Sequence, residues 1–302
     1  MRICITAANC FIGLPLVKKA SSLDWEVIAV VRAGNKQKDF ISSIPNVKVV
    51  ELNLENYDLL GEKVGKVDCA VLLTWNGTRG QSRLDENLQK SNYIHNMAAV
   101  KSLVLNGCKR IITAGSQAEY GLYNEIITEE TPCKPNTAYG KYKLKFFEDS
   151  FIYCKNNEVS LKEPRFFSLY GPGDYEKTML MSTIKNMLDN KPCEFTEAIQ
   201  MWDYLYIDDA IDALLDLSIK DCEDGVYNFG SGDCRQLKCF IEELKNILNS
   251  KSQLKFGAIP YGNGVVVSIN PCVEKLQNAV AWKPSTSFKD GVLKIINSLF
   301  KN

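Results

Sequence analysis

The feature that most constrains the fold is a regular alternation, over the first 165 residues, of short apolar runs with segments of helical periodicity. The strand-like runs are residues 2–6, 26–31, 47–52, 68–73, 110–114 and 159–165, and the helical segments are 11–22, 84–106 and 137–155. Strands that alternate with helices predict an α/β fold with a parallel, doubly wound sheet. Ligands bind beyond the carboxyl ends of such strands, so we expect the functional residues there.

The pattern becomes less regular after residue 165, where the turn Tyr170-Gly171-Pro172-Gly173 follows the last strand-like run. We therefore predict a dinucleotide-binding domain of the Rossmann type over residues 1–165 and a smaller mixed α/β substrate-binding lobe over residues 166–302. Residues 203–232 contain two further strand-like runs and an acidic helix start. We expect this stretch to contribute to the first domain, which makes the C-terminal lobe discontinuous.

The charge balance favours a protein that acts on small molecules. Lys plus Arg and Asp plus Glu both number 36, so the chain has no net positive field to attract nucleic acid or an anionic membrane. Its longest apolar runs, such as residues 69–73, are far shorter than the ~20 residues of a membrane span. No signal peptide is visible. These observations predict a cytoplasmic protein without nucleic-acid or membrane partners.

The cysteine and histidine content limits the chemistry. The 11 cysteines form no C-x-x-C pairs, and His95 is the only histidine. We expect reduced thiols and no metal site. Hydrolytic mechanisms that depend on a Ser-His or Cys-His pair lose most of their support.

The first strand-to-helix turn, Thr6-Ala7-Ala8-Asn9-Cys10-Phe11-Ile12-Gly13, stands where a dinucleotide-binding loop is expected. Of the three glycines expected in such a loop only Gly13 remains, and an ordinary turn explains the segment equally well by itself. The cofactor-binding residues predicted here are Ala7, Asn9, Cys10, Phe11, Ile12 and Gly13.

Tyr139 and Lys143 carry the clearest chemical signal. Their i, i+4 spacing near a helix start places both side chains on one face. A nearby ammonium favours the ionised form of a phenol, which suits the phenol for proton transfer. Ser116, just after the fifth strand-like run, is placed to present its hydroxyl to a substrate carbonyl.

Together these segments resemble the extended short-chain dehydrogenases/reductases, the NAD-dependent epimerase/dehydratase family, that act on nucleotide sugars. The resemblance covers almost the whole chain and is carried by residues 6–13, Asn92, Ser116 with Tyr120-Gly121, the Tyr139/Lys143 pair, and residues 165–173, 203–209 and 227–232. It implies a catalytic Tyr139, a Lys143 that binds the nicotinamide ribose and lowers the tyrosine pKa, a carbonyl-binding Ser116 and a supporting Asn92. It also implies a homodimer formed through the helices at 84–106 and 137–155.

The end of the second strand-like run bears on the choice of cofactor. An acidic residue there would bind the ribose of NAD, whereas an arginine accommodates the 2′-phosphate of NADP. Arg32, with Lys36 nearby, favours NADP and leaves NAD as the alternative. Asn53, which stands where the family usually has an aspartate near the adenine, and Leu73 and Thr74, after the fourth run, complete the predicted cofactor contacts.

The segment that follows Ser116 separates reaction types. Dehydratases of the family resemble Thr-Asp-Glu at the positions of Ser116, Gln117 and Ala118, and neither Gln117 nor Ala118 can transfer a proton as those carboxyls do. Glu119 comes one position too late, so dehydration is disfavoured. The predicted substrate-binding residues are Trp75, Gln117, Glu119, Ser168 and Trp202.

Two of these residues depart from the family pattern. Ser168 replaces a usual asparagine, and Trp202 replaces an arginine that commonly binds the diphosphate. Lys177 or Lys185 is a candidate to supply the positive charge that is lost where Trp202 replaces arginine.

The segments 115–121 and 202–206 are most similar to reductases that make deoxyhexoses from 4-keto-6-deoxy nucleotide sugars, CDP-abequose synthase among them. We therefore expect NADPH-dependent reduction of a C4 ketone. The first alternative is a nucleotide-sugar 4-epimerase with tightly bound NAD, and the second is a non-catalytic dinucleotide-binding sensor, suggested by Ala7 and Cys10.

Overall fold

The structure, a computed structural model, describes residues 1–262 and 267–300. The strands are β1 Arg2–Thr6, β2 Glu26–Val31, β3 Val47–Glu51, β4 Cys69–Leu72, β5 Arg110–Thr113, β6 Gly115–Ser116, β7 Ser160–Phe166, β8 Leu169–Tyr170, β9 Cys193–Glu194, β10 Met201–Asp203, β11 Leu205–Tyr206, β12 Gly225–Phe229, β13 Cys234–Gln236 and β14 Leu254–Lys255. The α-helices are α1 Gly13–Ser22, α2 Lys38–Ser42, α3 Leu60–Val64, α4 Glu86–Leu105, α5 Ala138–Asn156, α6 Met179–Leu188, α7 Ile207–Ile219, α8 Leu237–Ile247, α9 Glu274–Val280 and α10 Phe288–Leu299. Short 3₁₀ helices cover Leu54–Leu59, Gly80–Leu84 and Gln117–Glu119.

The main sheet runs in the order β12-β7-β5-β4-β1-β2-β3, and all of its pairings are parallel. The short β6 pairs with the end of β7. The chain therefore has the predicted α/β fold with a doubly wound parallel sheet, and β12 joins it from the second half of the chain.

The sheet separates two apolar cores, because successive side chains of a strand face opposite sides. Ile3 and Ile5 of β1 pack into the core that contains α1 and α7. Cys4, between them, packs into the core that contains α4 and α5. Burial on both faces explains why these strands are continuous apolar runs in the sequence.

Some element ends differ from the predictions. The helix predicted from residue 11 begins at Gly13, so Phe11 and Ile12 belong to the turn. The first of the two strand-like runs within residues 203–232, at 204–207, forms a strand only over Leu205–Tyr206, because Ile207 already begins α7.

The remaining strands form three two-stranded sheets beside the main one. β10 pairs with β13, β11 with β8, and β14 with β9. These sheets and the helices α6, α8 and α10 lie in the region predicted as a mixed lobe, of which residues 263–266 and 301–302 fall outside the described residues. The domain boundary at residue 165 stays a prediction. Within the two described ranges, no helix combines the length and apolarity that a bilayer crossing requires.

Candidate active site

The carboxyl ends of β1, β4, β5 and β7 border a cleft of about 490 Å³. Such a cleft at the strand ends of a doubly wound sheet is the expected position for a ligand. Of the predicted site residues, those that line it are Phe11, Ile12, Leu73, Trp75, Ser116, Tyr139, Lys143, Ser168 and Trp202. The structure therefore brings together residues that are up to 191 positions apart in the chain.

Lys143 lies at the buried end of this cleft. Its Nζ donates a hydrogen bond to the carbonyl oxygen of Ala114 at 2.5 Å and lies 4.1 Å from the ring centroid of Trp75. Burial lowers the pKa of the amine to about 8, because the ammonium loses its hydration, while the charges of Glu119 and Glu163 oppose this change.

Tyr139 stands one helical turn before Lys143 on α5 and is 8% exposed. Burial raises the pKa of the phenol, while a hydrogen bond with the Ser116 hydroxyl and the charge of Arg83 favour its ionised form. The Arg83 guanidinium lies 4.7 Å from the Tyr139 ring centroid. That Lys143 lowers the pKa of Tyr139 stays a prediction.

Ser116 is held by the short 3₁₀ turn that it caps. Its backbone N–H donates to Glu119 Oε1 at 2.7 Å, and its hydroxyl accepts from the N–H of Ala118 at 3.3 Å. The hydroxyl proton is thus left for Tyr139 or for a ligand. Glu119 is fully buried and faces inwards, so the structure does not place it in the cleft with the other predicted substrate-binding residues.

A buried charge cluster lies directly behind Ser116. Arg165 Nε donates to Glu119 Oε2 at 2.9 Å and to Glu163 Oε1 at 3.0 Å, and its Nη1 donates to the Cys133 sulfur at 3.2 Å. Burial and the neighbouring carboxylate of Glu119 raise the pKa of Glu163 well above its usual value. The positive charge of Arg165 therefore stabilises mainly the carboxylate of Glu119, and Glu119 in turn positions the backbone of Ser116.

The turn between β1 and α1 was predicted to hold a dinucleotide. A Cβ on Gly13 would lie 2.3 Å from the carbonyl oxygen of Ala7, so only glycine fits there. Ala7 adopts a left-handed φ of 49°, which favours glycine but which alanine tolerates at a cost of ~1 kcal/mol.

The start of α1 itself fits a phosphate group. No side-chain oxygen caps the helix; the thiol of Cys10 accepts a hydrogen bond from the N–H of Gly13 at 3.2 Å, and the Cys10 carbonyl accepts that of Leu14 at 3.0 Å. A thiol is a weak acceptor, so a phosphate can still compete for this terminus. Asn9 and Cys10 line a separate hollow beside α1 and α7, Ile12 lines the cleft, and Phe11 lines both.

Three buried amides on one face of α4 anchor the loop that follows β4. Asn92 exchanges two hydrogen bonds with the main chain of Asn76, at 2.9 and 2.8 Å. Asn96 donates to the carbonyl of Thr74, and Gln89 accepts from the indole of Trp75. Asn92 does not line the cleft, so it acts by supporting this loop rather than by touching reacting atoms.

The predicted cofactor residues at the sheet edge are partly engaged by the protein. Asn53 Oδ1 accepts the N–H of Ala33 at 3.0 Å, and the hydroxyl of Thr74 is bonded to Tyr57. Arg32 is exposed and borders a hollow with Asn9 and Lys36. This hollow lies at the ends of β1 and β2, where an adenosine ribose is bound in folds of this type.

The two departures from the family pattern contact each other. The indole N–H of Trp202 donates to the Ser168 hydroxyl at 3.2 Å, so both form one neutral wall of the cleft. Gln117 lines an adjacent hollow instead, so the structure does not place it with the other substrate-binding residues.

The lysines considered for the missing charge do not line the cleft either. Lys185 is 71% exposed and pairs with Glu176, and Lys177 is also absent from the lining. Sequence reasoning missed Arg79, which lines the cleft, and Arg83, which covers Tyr139. Their position in the loop that follows β4 is the sequence signal that could have identified them as site residues.

The low pKa of Lys143 predicts a pH-dependent stability. Between about pH 8 and the usual lysine value near 10.4, the unfolded chain keeps a proton that the folded chain releases, so this group makes the free energy of unfolding rise with pH. Lys143→Met should remove that rise and make the cofactor-free protein more stable near neutral pH. Urea unfolding at a series of pH values checks this. Lys141→Met is the matched control, because Lys141 is on the same helix and 60% exposed; equal pH curves for both variants would contradict the assignment.

Fold and cleft together define a Rossmann-type α/β protein with a half-buried Ser116 and a buried Tyr139 and Lys143 at the carboxyl edge of its sheet. The model of the NAD dependent epimerase/dehydratase family matches residues 3–230. The chain belongs to this family.

Curated relatives align over most of the chain. The dTDP-6-deoxy-L-talose 4-dehydrogenase (NAD(+)) of Aggregatibacter actinomycetemcomitans is 25% identical over 86% of this chain and 95% of its own length. The CDP-abequose synthase of Salmonella muenchen is 23% identical over 98% of this chain and 97% of its own.

Solved structures share the fold over the whole chain. The UDP-glucose 4-epimerase of Thermotoga maritima with UDP-glucose superposes with a TM-score of 0.88 at 19% identity, covering 100% of this chain and 99% of that one. The UDP-glucuronic acid 4-epimerase of Bacillus cereus in complex with NAD gives a TM-score of 0.84 at 19% identity, covering 100% and 97%. At these identities the likeness establishes the fold alone.

Proposed function

We propose that the protein is an NADPH-dependent reductase of the C4 ketone of a nucleotide-linked 4-keto-6-deoxyhexose. The observation that carries the proposal is that Ser116, Tyr139 and Lys143 line one cleft at the carboxyl ends of the strands. Two hydroxyl groups in one cleft suit a carbonyl oxygen that gains negative charge, because each can donate a hydrogen bond to it. The names of the two relatives, which concern dehydrogenation at C4 of a dTDP-6-deoxy sugar and synthesis of CDP-abequose, support this substrate class.

In this proposal each residue has one task. Tyr139 donates its phenolic proton to the C4 oxygen, and Ser116 donates a hydrogen bond to the same oxygen. Lys143 binds the nicotinamide ribose, and the start of α1 binds the pyrophosphate. The nicotinamide, when bound, supplies the hydride. Glu119 and Asn92 position Ser116 and the loop after β4 without touching the substrate.

The assay that tests the proposal is the loss of NADPH absorbance at 340 nm with a panel of CDP-, dTDP-, UDP- and GDP-linked 4-keto-6-deoxyhexoses. Oxidation of NADPH that depends on one of these sugars, with the reduced sugar identified by NMR, is the expected result. Absence of turnover with the whole panel would overturn the proposal.

Arg32 supports NADP as the cofactor. Its guanidinium is exposed beside the ribose position, and the nearby Glu51 is bonded to the N–H of Gly34 and paired with Lys38. We expect Arg32→Ala to raise the KM for NADPH about tenfold and to leave the KM for NADH within about twofold, because only NADPH carries a 2′-phosphate. Initial rates with each cofactor measure this. Lys48→Ala is the control for loss of a charge elsewhere on the domain. Equal effects on the two cofactors would rule out a 2′-phosphate contact.

A 4-epimerase is the second candidate, because the superposed structures are UDP-sugar 4-epimerases and one of them holds NAD. It would use the same Ser116 and Tyr139 at C4. Protein that is purified with NAD bound and that interconverts C4 epimers without added cofactor would favour this function over reduction.

The proposal includes a homodimer formed through α4 and α5. Ile94 of α4 and Ile152 of α5 are 49% and 59% exposed. Sedimentation at equilibrium tests it, since a mass of 33.9 kDa would indicate a monomer.

A further inference from the structure

Arg79 is a positively charged side chain at the open end of the cleft. Its side chain is 52% exposed, whereas Lys143 lies at the buried end of the same cleft. Among the residues the structure describes, these two are the only lysine or arginine side chains in the cleft lining. Since Lys143 is assigned to the nicotinamide ribose at the buried end, Arg79 is the cation of this lining that remains for the substrate.

Contacts on both sides hold the Arg79 guanidinium in place. Its Nη2 lies 3.5 Å from Asp174 Oδ1, and its centre lies 4.9 Å from the ring centroid of Tyr175. Asp174 is 8% exposed and accepts hydrogen bonds from the N–H of Tyr175 and the hydroxyl of Thr178. The contact with Asp174 is long, so most of the five N–H donors of the guanidinium are left for another acceptor.

The loop that carries Arg79 is anchored close to it on both sides. The Gln89 amide donates to the carbonyl of Gly77 at 3.0 Å and to that of Ser82 at 2.8 Å. A Cβ on Gly77 would lie 2.5 Å from Leu88, so the loop also packs closely on α4. An anchored loop reduces the entropy that a binding residue loses when it meets its ligand.

Apart from Asp174, which holds the Arg79 guanidinium, the substrate wall near Arg79 is uncharged. Trp202 and Ser168 bond to each other, and Thr178 is uncharged. A nucleotide sugar whose C4 oxygen lies at Ser116 and Tyr139 must place its diphosphate farther out along the cleft, towards solvent. A planar guanidinium binds two phosphate oxygens at once and keeps its charge at every working pH.

We propose that Arg79 binds the diphosphate of the substrate and that Asp174 and Tyr175 position its guanidinium. This assignment rests on the proposed function for the substrate class, since it takes the ligand to be a nucleoside diphosphate sugar. No covalent step is involved.

A direct binding measurement tests the assignment of Arg79 independently of catalytic turnover. Isothermal titration uses the full chain, saturated with NADP⁺ so that the cofactor site is filled, and the probes UDP, dTDP, CDP and GDP with their uncharged nucleosides. We expect Arg79→Gln to weaken binding of the preferred nucleoside diphosphate at least about tenfold and to change nucleoside binding by less than about twofold. Arg79→Lys should lie between wild type and Arg79→Gln, because it keeps the charge and loses the planar fork.

Two further variants test the alternative that Arg79 only joins two loops. Lys185→Gln removes the same charge from an exposed pair outside the cleft and should leave all affinities within about twofold of wild type. Asp174→Asn keeps the shape of Asp174 and removes a carboxylate beside the phosphates. If Arg79 binds phosphate, Asp174→Asn weakens binding less than Arg79→Gln; if Arg79 acts only through Asp174, the two variants lose affinity equally, which overturns the proposal.

The outcomes also separate the site from the proposed function. If diphosphate binding depends on Arg79 but the protein reduces none of the keto sugars, the phosphate site is supported and the proposed reductase function is rejected. If the protein reduces a keto sugar and Arg79→Gln leaves the KM for that sugar unchanged, the reductase function is supported and the phosphate site at Arg79 is rejected. A wild-type protein that binds no nucleoside diphosphate more tightly than its nucleoside also overturns the proposal.

Discussion

Tyr139→Phe is expected to lower kcat by about 10²–10⁴-fold, because it removes the group that donates the proton to the forming alkoxide. The ring itself remains packed edge-on against Trp75 and covered by Arg83, so the fold should be retained. Rates of NADPH oxidation with the preferred keto sugar measure the loss, and the thermal unfolding midpoint checks the fold. The KM for NADPH should change much less than kcat, since the hydroxyl contacts the reacting oxygen.

Tyr142→Phe is the matched control for this variant. Tyr142 lies on the same helix, but its ring packs against Tyr93 and it does not line the cleft. Its replacement should leave kcat within about twofold of wild type. If Tyr139→Phe keeps more than about a tenth of the activity, another group supplies the proton, and the assignment of Tyr139 fails.

Arg165→Met is expected to lower the free energy of unfolding by about 3–5 kcal/mol, the range seen when one partner of a buried ion pair is removed. Arg165 is 2% exposed, and its loss leaves Glu119 without a counter-charge in the core. Activity should fall as well, because Glu119 holds the backbone of Ser116. Denaturant unfolding followed by circular dichroism measures the stability.

Arg235→Met tests whether any paired arginine would give the same loss. Arg235 pairs with Asp233 and Glu243 but is 32% exposed, so its removal should cost about 1 kcal/mol or less. Adding Glu119→Gln to Arg165→Met should recover part of the stability, because the uncompensated charge is then removed. Equal losses for the two arginine variants would show that the buried cluster contributes nothing beyond a surface pair.

The sequence predicts the sheet well, because burial on both faces leaves a direct signal. The strands at Arg2–Thr6 and Glu26–Val31 begin and end at the predicted residues, since each is a continuous apolar run. The rule that ligands meet the carboxyl ends of strands predicted functional residues just after Leu73 and Ala114, and Trp75 and Ser116 do line the cleft there.

Long-range contacts explain most of what the sequence could not show about the site. Glu119 was expected at the substrate, yet the 3₁₀ turn capped by Ser116 directs it inwards, where Arg165 pairs with it from 46 residues away. The hydrogen bonds of Asn92 depend on how the loop after β4 folds back onto α4. Arg79 was missed for the same reason, because no local pattern shows that a loop arginine lies within reach of Asp174.

The turn after β1 shows which glycine of a phosphate-binding loop is sterically required and which glycine positions accept another residue. Gly13 is required, because any side chain there would collide with the main chain of the same turn, whereas Ala7 and Cys10 occupy glycine positions at a tolerable cost. A search that demands all three glycines would pass over a chain like this one. A search for a single glycine seven residues after the last residue of a buried N-terminal strand, with a helix beginning at that glycine, would find it.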